Sequence, residues 1–296
     1  MKSKDFGLFW LVGLIWGTSF VWIKTGVAEI SSTMLVAYRA LIGAIGLGVI
    51  VAFSKKVSLK WETIKPHLGT FFILGLLNIT LPWSMISYGS KFIDSGMSAV
   101  INGTMPLFTI LLSFIFVKDD RVTAAKAAGL LIGFLGVVVL LLPKINIDGA
   151  GTIVYYLISM AAPLLYAVAV IYARKRAADL PSLMQAFLQL VMATIQTWAL
   201  AFLIEHPIVH PALPITWVAL VWLGLLGTCI AYIIYFYLLH RIGPTLVSMI
   251  TYIPPLVGML LGIIFLGEQF FWLSLVGALM IMGGIMIGNI GSKETA

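Results

Sequence analysis

The sequence predicts an all-α polytopic membrane protein with ten transmembrane helices, arranged as two inverted five-helix repeats. Three observations lead to this prediction: the composition, the number of long apolar runs and an internal duplication. Of the 296 residues, 61% are hydrophobic and only 10% are charged, whereas soluble proteins carry roughly 25% charged residues. A soluble domain of this length has too little interior to bury so much apolar surface.

A helix needs about 20 apolar residues to cross the hydrocarbon core of a bilayer. Ten such runs follow one another, over residues 6–25, 32–53, 68–89, 95–117, 124–142, 150–173, 183–204, 215–239, 245–266 and 270–290. Each run is continuously apolar, whereas strands of a membrane barrel alternate apolar and polar residues. The first run lacks an Ala-x-Ala cleavage site, so we expect it to be a retained helix rather than a signal peptide.

In the internal duplication, the end of the third span and the fourth span correspond in sequence to the end of the eighth span and the ninth span. Residues 88–119 align without a gap with residues 237–268, with nine identities over 32 positions. This alignment predicts two repeats, residues 1–146 and residues 147–296, with five spans each. An odd number of spans inverts the second copy, and transporters built in this way bind their solute between the repeats near mid-membrane.

The basic residues predict the orientation of the chain. Of the 18 Lys and Arg residues, 14 fall at the N-terminus, at the C-terminus or in every second loop, on one side of the membrane. The positive-inside rule then places both termini in the cytoplasm. We expect the protein to lie in the inner cell membrane. The net charge of +7 therefore reflects membrane topology, and no nucleic-acid partner is predicted.

The distribution of reactive side chains argues against an enzyme and against a cofactor or metal site. All 11 carboxylates and all four His residues fall at span ends or in loops, and the single Cys lies in an apolar run. Ion-coupled transporters commonly carry an acidic or His side chain inside the membrane. We therefore expect facilitated diffusion or exchange of a small neutral or zwitterionic solute. The sequence leaves the oligomeric state open.

Prolines inside the spans predict where backbone groups are free to bind a solute. A proline within a helix leaves the carbonyl four residues earlier without its hydrogen bond. Pro106 frees the carbonyl of Asn102, and Pro255 frees that of Thr251, its equivalent in the second repeat. Asn78 in the third span is freed in the same way. These polar residues are predicted to face a central cavity, with simple helix–helix bonding as the alternative.

Arg39 lies about eight residues, roughly 12 Å, inside the second span. At this depth it needs a partner or a water-filled cavity, and it is the only cation predicted to be buried. Two roles remain open: binding a substrate carboxylate, or a structural role at the end of the helix. Its equivalent in the second repeat is Gln189.

Aromatic side chains inside the spans are candidates for lining the same cavity: Trp16, Trp22, Trp83, Tyr88, Tyr166, Tyr232, Tyr235 and Tyr252. The complete set of predicted substrate-binding residues is Trp16, Ser19, Arg39, Asn78, Tyr88, Asn102, Tyr166, Thr251 and Tyr252. Glycines at four-residue spacing in the fifth and tenth spans predict close helix contact, within or between subunits.

The chain resembles the EamA-type transporters of the drug/metabolite transporter superfamily. The resemblance rests on residues 13–20, on Tyr38-Arg39, on Pro106 and on Thr251-Tyr-Ile-Pro-Pro-Leu followed by Leu-Gly-Glu268. It implies ten helices in two inverted repeats and export or exchange of amino acids and related metabolites. Aromatic lining favours aromatic or hydrophobic amino acids. The alternative is a lipid-linked sugar flippase, which would need a basic site for phosphate.

The chain departs from the family pattern at two places. Pro163 stands where the second copy often has Trp, and Lys118-Asp119 stands where the first copy often has Gly-Glu. The acid after the fourth span and its equivalent Glu268 are therefore predicted to cap helix ends rather than to share a transport role.

Overall fold

The computed structural model describes residues 3–54, 60–116, 123–148, 150–177 and 179–290. These form ten membrane helices: α1 Ser3–Val27, α2 Ser32–Phe53, α3 Trp61–Gly89, α4 Ser95–Asn102 with Met105–Phe116, α5 Ala124–Asp148, α6 Ile153–Arg176, α7 Ser182–Ile204, α8 over 214–248, α9 Met249–Leu266 and α10 Trp272–Ile290. Nine are long and apolar enough to span a membrane, and α10 contributes a shorter apolar helix. The ten-helix prediction is confirmed.

Three boundaries differ by six residues or more from the prediction, and one of them is the end of α5, which lies at Asp148 instead of residue 142. The third span begins at residue 61 rather than 68, and α8 remains helical to residue 248, past the predicted start of the ninth span at 245. Polar residues near residue 61 made the third apolar run appear shorter, and those near residue 245 made the ninth run appear to begin a new helix. A helix continues through polar residues as long as its backbone hydrogen bonds are kept.

The two repeats are interleaved in the bundle. α2 packs against α7, α4 against α9 and α5 against α10, so each of these helices contacts its own repeat equivalent. The other main contacts come in corresponding pairs, in which each helix is replaced by its equivalent in the other repeat. The α1–α9 contact corresponds to α6–α4, the α1–α8 contact to α6–α3, and the α2–α8 contact to α7–α3. A duplicated five-helix unit produces this pattern.

Contacts between helix ends show that the second copy is inverted. We call the end of the bundle where α1 begins the basic face, and the other end the opposite face. On the opposite face, Lys24 at the end of α1 contacts Glu268 after α9, which in turn accepts hydrogen bonds from Ser95 at the start of α4. On the basic face, Lys175 at the end of α6 donates to the Phe116 carbonyl at the end of α4. α6 therefore runs opposite to its equivalent, α1.

The third helix of each repeat contains a π-helical segment, Leu76–Thr80 in α3 and Trp222–Ile230 in α8. Such segments interrupt the regular hydrogen-bond ladder and are frequent at functional sites. Pro82 follows the first segment, but Ala231 occupies the equivalent position after the second. The irregularity therefore belongs to the duplicated fold and does not depend on a proline.

The fourth helix of each repeat is also interrupted. α4 stops at Asn102 and resumes at Met105, while α9 begins with a 3-10 turn over Met249–Tyr252 before its α-helix starts. Pro106 and Pro255 lie in the first turn of the following helical segments, where a missing N–H removes no intrahelical bond. The helices are interrupted at both prolines, as predicted. The predicted cause is wrong, because neither proline removes a hydrogen bond from within a helix, and the carbonyls of Asn102 and Thr251 are not freed in that way.

Helices α5 and α10 meet along a glycine seam formed by Gly129, Gly136, Gly277 and Gly284. A Cβ added to Gly136 would lie 2.8 Å from the Gly277 carbonyl oxygen, and one added to Gly129 would overlap the Gly284 carbonyl. Only glycine permits this approach, because backbone atoms cannot rotate away as side chains do. The close contact predicted from the glycine spacing is confirmed, and it lies within one chain.

Candidate functional site

A cavity of about 270 Å³ lies between the two repeats, lined by residues of α1, α2, α3, α4, α6, α8 and α9. Seven of the nine predicted site residues line it: Trp16, Ser19, Arg39, Asn78, Asn102, Tyr166 and Thr251. These residues are separated by up to 235 positions in the sequence. The interleaving of the repeats brings them together.

All four helix interruptions contribute to this cavity. Asn78 and Gly227 belong to the π-helical segments of α3 and α8, and Asn102 and Thr251 to the interruptions of α4 and α9. Irregular backbone is tolerated at membrane depth only where protein or a water-filled cavity satisfies its polar groups. The interruptions therefore coincide with a cavity in the described bundle interior that can satisfy such groups.

Arg39 places a positive charge in the cavity wall. Its side chain is 8% exposed, and its guanidinium carbon lies 3.8 Å from the centre of the Trp83 ring. Nε donates to the Thr228 hydroxyl at 3.4 Å, a long bond. None of the described residues that line the cavity carries a carboxylate, and no described carboxylate forms an ion pair with Arg39.

Gln189, the repeat equivalent of Arg39, occupies the mirror position. The Asn78 amide donates from Nδ2 to Gln189 Oε1 at 2.8 Å, just as Arg39 is bonded to Thr228. Asn78 and Thr228 each lie within the π-helical segment of the third helix of a repeat. The second helix of each repeat is thus hydrogen-bonded to the third helix of the other repeat. One of these bonds involves the charged Arg39, and the other joins two neutral amides.

Six aromatic residues form a large part of the remaining wall. Trp16 donates from Nε1 to the Gly227 carbonyl at 3.0 Å, and its ring centre lies 5.5 Å from that of Tyr235. Tyr166 and Tyr232 line the same cavity. Such amphipathic rings offer apolar faces together with a few fixed polar groups, which is the usual character of a small-molecule site.

The structure does not bring Tyr88 and Tyr252 into this cavity. Tyr88 lies at the end of α3, is 42% exposed and contacts the rings of Phe92 and Tyr155. Tyr252 packs against a separate apolar cluster that includes Ile93. Sequence position gave the depth of both residues, but the direction of each side chain depends on helix rotation, which is set by tertiary packing.

Trp22 lies outside the cavity as well, and its ring centre is 5.7 Å from that of Trp222. Phe20 lines the cavity but was not among the predicted residues. It follows Trp16 by four positions and precedes Ile23 by three, the spacing of one helix face. This periodicity was available in the sequence and would have identified it.

An ion network joins three helices on the opposite face. Glu268, whose side chain is 7% exposed, lies 3.7 Å from Lys24 and accepts the Ser95 N–H at 2.6 Å and the Gly96 N–H at 3.3 Å. It thereby caps the start of α4 from a distant helix, and the prediction of a capping role for this acid is confirmed. Its equivalent, Asp119, lies outside the described residues. Lys24 also lies 4.0 Å from Asp94.

The sequence predicted that Arg39 would be the only buried cation, and this prediction is wrong. Lys126, near the start of α5, is 2% exposed. It does not line the cavity. The apolar character of the run around it did not reveal that its side chain would be enclosed, since enclosure depends on the neighbouring helices.

The sequence model of the EamA-like transporter family matches residues 6–142 and 153–290. The chain belongs to this family. It is therefore a multi-pass membrane transporter, and each of the two matches covers one five-helix unit.

Curated relatives are similar over nearly their whole lengths. An uncharacterized transporter of Bacillus subtilis, YoaV, is 27% identical and covers 94% of both chains. Protein PecM of Dickeya dadantii is 28% identical over 97% of this chain and 92% of its own. A probable amino-acid metabolite efflux pump of Escherichia coli is 25% identical over 99% of this chain and 97% of its own.

One solved crystal structure superposes with a TM-score of 0.67 and covers 99% of both chains at 21% identity. At this level of identity the likeness concerns the fold, and it agrees with the interleaved two-repeat architecture.

Proposed function

We propose that this transporter carries amino acids and related small zwitterionic metabolites, favours aromatic or hydrophobic side chains, and acts as an exporter or facilitator by alternating access. The observation that carries the proposal is the cavity between the repeats, where aromatic rings surround Arg39, Asn78 and Asn102. The names of the Escherichia coli and Salmonella typhimurium relatives, probable amino-acid metabolite efflux pumps, agree with it.

The size of the cavity favours a small solute. Its volume of about 270 Å³ lies just below the range of about 300–1,000 Å³ that is typical of pockets for drug-sized ligands. An amino acid is smaller than such ligands, whereas a lipid-linked sugar is much larger. A lipid-linked sugar also needs a pocket that opens sideways to the bilayer.

For the mechanism, we propose that one bundle of helices rocks against another around the cavity, each bundle containing helices of both interleaved repeats. The ion network of Lys24, Asp94, Glu268 and Ser95 holds the ends of α1, α4 and α9 together on the opposite face. These ends must separate when the cavity opens there. The excess of Lys and Arg on the basic face supports an inner-membrane protein with both termini in the cytoplasm.

Counterflow in proteoliposomes tests the proposal. Vesicles with purified transporter and preloaded with unlabelled phenylalanine or leucine should accumulate the labelled amino acid, and protein-free vesicles should not. Because no carboxylate lines the described cavity, a pH gradient should change the rate little. Scrambling of a lipid-linked sugar without amino-acid counterflow would instead favour a flippase.

A further inference from the structure

We infer that the cavity selects solutes by their carboxylate, with Arg39 as the anchor, and that it rejects the corresponding amines that lack the carboxylate. The inference rests on the proposed function and narrows it to amino acids that carry an apolar or aromatic side chain. It also excludes organic cations, although the aromatic walls by themselves would suit them.

The first step concerns the charge of Arg39. A guanidinium stays protonated in proteins, and a charge buried at membrane depth is costly unless it is paired. Within the described residues, the hydrogen bond of Arg39 goes to the neutral hydroxyl of Thr228, its guanidinium lies on the face of the Trp83 ring, and no carboxylate pairs with it. None of the described residues therefore neutralises this positive charge, and an anionic group of the solute would complete the site.

The second step concerns the free donors of Arg39. Of the five N–H groups of a guanidinium, the Nε–H is directed to Thr228 and the flat face covers Trp83. The remaining N–H groups belong to the two terminal nitrogens, which form the planar fork that binds a carboxylate through two parallel bonds. Stacking on Trp83, which also lines the cavity, restricts the orientation of this fork before the solute arrives.

The third step concerns the other end of a zwitterion. Asn102 Oδ1 is buried and has no hydrogen-bond partner among the described residues. Asn102 is the last residue of the helical segment Ser95–Asn102, and the carboxyl end of a helix carries partial negative charge. Asn102 lines the cavity, so a rotation of its side chain would turn this enclosed oxygen towards an ammonium group of the solute. The cavity thus offers a cationic anchor and a separate neutral acceptor.

The fourth step comes from the second repeat. Gln189, which mirrors Arg39, carries no charge, and its Oε1 is occupied by the Asn78 amide. Of the two mirror positions, only Arg39 lines the cavity, so the duplicated fold supplies one cationic anchor for an anionic group of the solute. A solute with one carboxylate matches this arrangement better than a dicarboxylate does.

The test compares matched solutes in the counterflow assay. Phenylalanine, phenethylamine and 3-phenylpropionate share the same ring. Phenylalanine carries both an ammonium and a carboxylate, phenethylamine carries only the ammonium, and 3-phenylpropionate carries only the carboxylate. The wild-type transporter should carry phenylalanine about 10- to 100-fold better than phenethylamine, the factor expected for one charge-assisted contact. 3-Phenylpropionate should fall between the two.

Variants assign the preference to individual residues. R39Q, which places the Gln of the second repeat in the first, should remove the preference for phenylalanine over phenethylamine, and R39K should retain part of it. N102A should instead reduce the preference for phenylalanine over 3-phenylpropionate. The thermal unfolding and gel-filtration profile of each variant show whether it is folded. If R39Q does not fold, the comparison of phenylalanine with phenethylamine in the wild type still tests whether the cavity selects for a carboxylate.

The two proposals fail differently. Equal transport of phenylalanine and phenethylamine by the wild type, or an undiminished preference in folded R39Q, would overturn the role of Arg39 while leaving amino-acid transport intact. Absence of counterflow with both phenylalanine and leucine would overturn the proposed function, and the present inference with it.

Discussion

The two repeats share one backbone plan but differ in charge at the cavity. Arg39 and Gln189 occupy equivalent positions, and each is bonded to the π-helical segment of the other repeat, through Thr228 and Asn78 respectively. Because the backbone treats both positions alike, the difference lies in the side chains. Duplication thus built a symmetric scaffold, and side-chain substitution made its binding surface asymmetric.

The largest effect is expected where the repeats are most alike, in the glycine seam. Gly129→Ala and its equivalent Gly277→Ala each drive a Cβ into the backbone of the facing helix, and overpacking of this kind costs about 3 kcal/mol. Thermal unfolding in detergent should show similar losses for both variants. Gly283→Ala is the control, because a Cβ there meets nothing within 4 Å. Clearly unequal losses would contradict a symmetric seam.

A smaller effect should follow from Glu268→Gln. The amide cannot form the ion pair with Lys24, and losing charge-assisted hydrogen bonds to Ser95 and Gly96 should lower the free energy of unfolding by about 2 kcal/mol. Counterflow should slow as well, because one of the two end states loses the contact that stabilises it. Asp94→Asn is the matched control: its side chain is 23% exposed and lies 4.0 Å from Lys24. An equal effect of both variants would rule out a specific role for Glu268.

Gln189→Leu sharpens the comparison of the two mirror positions. It removes one neutral hydrogen bond to Asn78, which is worth about 1 kcal/mol, and should slow counterflow while leaving the preference for phenylalanine over phenethylamine unchanged. Gln196→Leu is a control on the same helix, because Gln196 bonds to Thr80 and to the Phe72 carbonyl, outside the cavity lining. If Gln189→Leu reduced the preference for phenylalanine over phenethylamine, both Arg39 and Gln189 would contribute to recognition of the carboxylate.

The smallest effect concerns Glu29, in the loop between α1 and α2. Its carboxylate accepts the N–H groups of Ala212 at 2.6 Å and Leu213 at 2.9 Å. The Thr216 hydroxyl beside it, although outside strict hydrogen-bond geometry, contributes most to lowering the pKa of Glu29. Burial opposes this effect, and the N–H groups of Leu213 and Ala212 add to it.

A lowered pKa means that this contact stabilises the fold above the ordinary pKa of Glu, about 4.3, and that the contribution disappears as the pH falls through the lowered value. Unfolding temperatures of the wild type and Glu29→Gln should therefore differ slightly at pH 7 and converge in acid. Asp179, the repeat equivalent, is 65% exposed and lies 3.4 Å from His67. Asp179→Asn should change stability less at pH 7 than Glu29→Gln does, and the reverse order would contradict the comparison.

Several features of the site were accessible from the sequence. Pro106 and Pro255 indicated where α4 and α9 are interrupted, and the polar residues Asn102 and Thr251 at those places line the cavity. The depth of Arg39 in its span indicated that it needs a partner or a cavity. In each case a local rule sufficed, because a proline or a buried charge constrains its surroundings whatever the rest of the fold does.

Other features were not accessible. The stacking of Arg39 on Trp83 joins α2 to α3, and the capping of α4 by Glu268 joins residues 173 positions apart. Tyr88 and Tyr252 were expected in the cavity and lie elsewhere, since side-chain direction depends on how each helix is rotated in the bundle.

By itself, the sequence determined that this protein lies in a membrane, that it has ten helices and that its second half repeats and inverts the first. These follow from apolar length, from the alignment of the two copies and from an odd number of spans. Only the tertiary structure decided which side chains share the cavity and that the charge of Arg39 has no acidic partner among the described residues. The physical reason is that helix rotation and interleaving are set by packing between distant segments, such as the glycine seam, which no local pattern specifies.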